Sequence, residues 1–163
     1  MTFRNFFGLI LMIIFLTSCT QPANNYSSEA DINMIQVVLR RFSSETYLFQ
    51  LDNNVLKVTQ GRRQGDMEDD DFIEKERYDE VCLSKDQYDE LLLLANNIDD
   101  NQKPTFRDSW VVEAIIGNIR VESTYGASQS EALDELVTKF IELSPIEVVS
   151  SSGQKVTPVK LPN

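Results

Sequence analysis

Residues 110–125 read WVVEAIIGNIRVESTY: two runs rich in β-branched and apolar side chains that meet at Gly117-Asn118. A tight antiparallel hairpin pairs the backbone groups of both runs and sends alternate side chains to one face. Glycine in the first turn position suits a type II′ turn. That register sets Ile116 against Ile119, Ala114 against Val121 and Glu113 against Glu122, with Trp110 opposite Tyr125. An isolated hairpin is marginal in water, so the remaining chain must supply a sheet or helices to cover it.

The supply is visible upstream. Residues 35–42 (IQVVLRRF) put Ile35, Val37 and Leu39 on one face at a period of two. Residues 47–51 and 55–59 form a second hairpin across Asn53-Asn54, because asparagine tolerates the positive φ angles that a type I′ turn needs. Its register pairs Leu51 with Leu56 and Phe49 with Val58. Residues 61–77 break the pattern and read as an acidic exposed loop, with a strand returning near residues 78–83.

Two helices follow their strands. Ser84 and Gln87 form a capping box, with Leu83 and Tyr88 spaced for a hydrophobic staple. Tyr88, Leu91, Leu92, Ala95 and Ile98 make one apolar stripe, which Asn96-Asn97 weaken and end. Ser128 and Glu131 make a second capping box ahead of Leu133, Leu136, Val137, Phe140 and Ile141, and Ser144-Pro145 stops that helix. Residues 146–149 add a short strand, and 150–163 read as a loose tail. The order strands, helix, hairpin, helix predicts an α+β domain: an antiparallel sheet built from hairpins, with both helices on one face. Two hairpin–helix units suggest an internal structural repeat.

The first residues belong to a different regime. Arg4 precedes an uncharged apolar run at residues 6–16 (FFGLILMIIFL), followed by Thr17-Ser18-Cys19. The charged start, short apolar stretch and small exit residues describe a secretory signal. The run is shorter than the roughly 20 apolar residues of a membrane span. Leu16-Thr17-Ser18-Cys19 resembles the lipobox of bacterial lipoproteins. That resemblance implies a thioether-linked diacylglycerol on Cys19, cleavage before it and acylation of the new amino terminus, an anchor strong enough to hold a domain at a membrane. Thr20 is not the aspartate that retains enterobacterial lipoproteins on the inner membrane, so an outer membrane is favoured if the cell is Gram-negative. The expected organisation is therefore a signal peptide at 1–18, a polar flexible tether at 19–33, a single α+β domain at 34–149 and a tail at 150–163.

Composition narrows the chemistry. The chain has 163 residues, a net charge of −11 and no histidine. The proposed signal removes only Arg4, which leaves the remainder more acidic still. Nucleic-acid phosphates would repel such a protein. Without histidine neither Ser-His-Asp nor Cys-His catalysis can be built, and zinc sites of the usual His or multiple-Cys kinds are excluded. Neither GxxxxGK[ST] nor GxGxxG occurs, so no nucleotide cofactor is expected. With Cys19 lipidated, Cys82 has no partner within its own chain; it reads as a small hydrophobe packed in a strand, with no intramolecular disulfide.

The remaining candidates are few. Glu113 opposite Glu122 offers paired carboxylates, which read as a solvated outer face eased by Arg120. Trp110 and Tyr125 read as packing rather than a ligand groove. The basic pairs Arg40-Arg41 and Arg62-Arg63 read as solvated or as neutralising the acidic segment. Residues 66–71 (DMEDDD) place Asp66, Glu68, Asp69, Asp70 and Asp71 together, without the alternating ligands or the glycine of an EF-hand loop. They read first as a solubilising, hydrated loop, with a surface for a basic envelope-protein partner and a weak cation site as the alternatives. The sequence thus points to a membrane-tethered, non-enzymatic interaction or binding module of the cell envelope. A small carboxylate-dependent hydrolase or glycan-active enzyme is the alternative.

Overall fold

Alternating apolar residues become strands and the two apolar stripes become helices, in the order β1 (Ile35–Arg40), β2 (Thr46–Asp52), β3 (Val55–Arg63), β4 (Ile73–Cys82), α1 (Lys85–Asn96), β5 (Val111–Ile116), β6 (Ile119–Thr124) and α2 (Glu131–Leu143). This computed structural model describes residues 34–40, 45–64, 73–98, 110–126, 131–149 and 155–156. The strands form one sheet in the order β4-β3-β2-β1-β5-β6, every neighbouring pair antiparallel. The architecture is α+β, as the element pattern predicts.

Both predicted hairpins occur in register: Leu51 faces Leu56, Phe49 faces Val58, Ile116 faces Ile119 and Glu113 faces Glu122. Gly117 takes φ 57°, the left-handed value that a glycine-first turn requires. At the other turn only Asn53 is left-handed, with φ 54°. A type I′ turn needs two such residues, so that expectation is corrected.

The sheet has two unlike faces. Ile35, Val37 and Leu39 on β1 and Phe49 and Val58 beside them share one apolar cluster with Leu91 and Ala95 of α1 and Leu133, Leu136 and Phe140 of α2. The Phe49 and Phe140 rings stack at 5.6 Å, nearly parallel. The opposite face carries a smaller cluster of Val38, Leu48 and Ile73, with Ile115 packed against it.

Ser84 caps α1 as predicted: its side chain accepts from the Gln87 N–H, and the Gln87 side chain accepts from the Ser84 N–H. The second predicted capping box involves Ser128, which lies outside the described residues. Lys139 of α2 reaches Glu90 of α1 at 2.9 Å and ties the helices together.

Three expectations need correction. The segment at 61–77 is strand at both ends, since β3 runs on to Arg63 and β4 begins at Ile73, while the expected acidic loop at 65–72 lies outside the described residues. Its charges hide the strand period because β4 is an edge strand with little apolar surface to alternate. The two hairpin–helix units are also unequal, since the first is a four-stranded meander and the second a hairpin, joined through β1 and β5. Finally, the tail is not wholly loose. Lys155 bridges to Val149, and Val156 is buried in the main core with Ile146 and Val148.

Candidate functional site

The second face gathers charge where β1, β3, β5 and β6 contribute one residue each. Val38 is the β1 residue opposite Glu113, so Arg40, two positions on, shares the face of Glu113. Arg40 Nε donates to Glu113 Oε1 at 2.7 Å, and Arg63 Nη1 donates to the same oxygen at 2.6 Å, although β2 and β1 lie between their strands. A second Arg40 nitrogen stands 3.6 Å from Glu122. The Glu113 side chain is only 8% exposed, whereas each arginine keeps about a quarter of its surface. Burial alone would raise the Glu113 pKa, but two guanidiniums hydrogen-bonded to it prevail and hold the carboxyl below its ordinary range.

This arrangement corrects the solvated reading of Glu113 and Glu122. They face one another in the sheet as predicted, yet Glu113 is buried and neutralised by Arg40 and Arg63. A carboxylate fixed in its ionised form by two cations is a poor proton donor, so Glu113 is unsuited to be a general acid. It is well suited to hold the end of β3 against the sheet.

β3 pairs with β2 from Val55 to Gly61 and carries β4 on its other side as the sheet edge; these two strands make the β3–β4 arm, and Arg63 with Ile73 is their last pair before the connection. β4 is offset by a bulge between Gln60 and Gly61, where Gly61 pairs with Lys75 and Gln60 with Arg77, leaving Glu76 unmatched. Glycine is required there: a Cβ on Gly61 would collide with the Glu74 carbonyl oxygen and lie 2.7 Å from the Ile73 side chain. Seven consecutive β4 residues, 74–80, are exposed. Successive residues alternate sides, so both faces of this strand meet solvent. Tyr78 is 51% exposed, with Lys75 Nζ 5.9 Å from its ring centre. Its hydroxyl donates to Glu80 at 2.8 Å, and this bond raises the phenol pKa. Arg62 pairs with Glu76 at 3.3 Å.

The predicted partner surface belongs to this arm by topology. Asp66, Glu68, Asp69, Asp70 and Asp71 lie in the connection from β3 to β4, outside the described residues. The sequence places five carboxylates in that connection, next to Glu74, Glu76, Asp79 and Glu80 of β4.

Other candidates separate. Trp110 accepts a backbone hydrogen bond from Tyr125 at 2.8 Å, so the predicted opposition holds. The Trp110 ring centre lies 6.3 Å from that of Tyr47, and the Tyr125 hydroxyl stands 2.9 Å from the Thr138 hydroxyl. Cys82 is exposed at the end of β4 and disulfide-bonded, which corrects its reading as a packed thiol. Its partner sulfur lies outside the described residues, as does Cys19. Among the described residues no group of three or more acidic, cysteine or histidine side chains is placed to hold a metal, and no helix is long and apolar enough to cross a membrane.

Sequence reasoning passed over Tyr47. Its ring is fully buried, its hydroxyl accepts from the Val149 N–H at 3.0 Å, and it lies 3.2 Å from a Glu45 carboxylate oxygen. Burial pushes its pKa up to about 12. A tyrosine at an inward strand position was the available signal; its partner 102 residues away was not.

No protein-family model matches the chain, and no curated protein matches it.

Proposed function

We propose that this chain is a membrane-tethered lipoprotein of the cell envelope, acting without catalysis as a binding module. On this reading the lipid sits on Cys19, both helices cover the first face of the sheet only, and the β3–β4 arm presents an acidic surface to a basic protein partner. The outer membrane is the favoured location in a Gram-negative cell.

The observation that carries the binding reading is the arm. An edge strand exposed on both faces, dense in charge and held at its turn end by Arg63 on Glu113, contributes little apolar burial to the core. Its acidic turn is complementary to basic surfaces, which favours rapid, salt-sensitive association. The membrane part rests on the apolar run and Leu16-Thr17-Ser18-Cys19.

The Cys82 disulfide stands against one element of this reading. Cys19 is the only other cysteine in the sequence, and a thioether uses the same sulfur that a disulfide within the chain would need. A lipidated Cys19 and such a disulfide are therefore alternatives.

The deciding experiment is recovery of partners from native membranes with the wild-type chain and with an Asp69→Asn, Asp70→Asn, Asp71→Asn variant. The arm reading expects a basic protein that is recovered at low salt, released at high salt and lost with the variant. Equal recovery by both chains, or recovery indifferent to salt, overturns it.

A further inference from the structure

We draw no further inference here: the strongest candidate, the buried and unpartnered side-chain oxygen of Gln60 in the row of Tyr47, Gln60 and Arg77 across β2, β3 and β4, carries nothing because no described cavity opens in front of it and nothing in the structure shows what it faces.

Discussion

Glu113 concentrates the electrostatics of the domain in one oxygen atom. Replacing it with glutamine leaves Arg40 and Arg63 crowded around a neutral amide. Removing one partner of a largely buried charged hydrogen bond costs about 1–3 kcal/mol, which thermal or denaturant unfolding will register. The pH dependence has a definite sign. The folded pKa of Glu113 lies below its ordinary 4.5, so its contribution is fully present above that value and drains away as pH falls through the lowered one. The wild type should therefore lose stability below about pH 4.5 more steeply than Glu113→Gln; parallel acid-stability curves would remove Glu113 from its anchoring role. Gly61 makes a second demand at this scale. A methyl group there meets β4 backbone rather than a yielding side chain, so Gly61→Ala should destabilise by about 1–3 kcal/mol. An unchanged midpoint would mean that the bulge relaxes freely.

Among the elements, α2 carries the clearest packing prediction. Leu136 and Phe140 are fully buried, and Phe140 stacks on Phe49 of β2. Leu136→Ala and Phe140→Ala should each cost about 2–5 kcal/mol by lost contacts and a residual cavity, measured by denaturant titration. The stretch after α2 is held differently. Ser144 accepts from the Ile146 N–H and donates back to its carbonyl, turning the chain so that Ile146 and Val148 enter the core. The Tyr47 hydroxyl then holds Val149. Tyr47→Phe should cost about 1 kcal/mol and accelerate hydrogen exchange at the Val149 amide more than at β1 amides. Burial raises the Tyr47 pKa from 10.0 to about 12. That stabilisation is present below pH 10 and is lost between about 10 and 12, a loss that Tyr47→Phe should not show. Uniformly faster exchange would point to general loosening rather than a local fastening.

For the whole molecule the open question is which bond Cys19 makes. Intact-mass and peptide analysis of protein from its native membrane resolves it. The lipoprotein reading expects a diacylglyceryl mass on an amino-terminal Cys19, and Cys19→Ser should abolish lipid labelling and release the domain from membranes. A Cys19–Cys82 disulfide with no acyl mass would sink the anchor and tie the amino-terminal segment to the end of β4 instead. Charge distribution acts on the same scale. Acid is concentrated on the arm while the second-face cluster balances itself: two arginines face two glutamates.

Local pattern was enough for several features. The Gly117 and Asn53 hairpins, their registers, the Ser84 cap and the apolar stripes of both helices were legible because each depends on side chains a few residues apart, where periodicity and turn chemistry act directly. Tertiary structure decided what pattern could not: that residues 73–82 form an edge strand, that Arg40 and Arg63 rather than Arg120 neutralise Glu113, and that Tyr47 fastens Val149. In β4 the alternation is masked because both faces are solvated. In the other two cases the partners lie 50–102 residues apart: strand order brings the arginines to Glu113, and the chain leaving α2 brings Val149 to Tyr47.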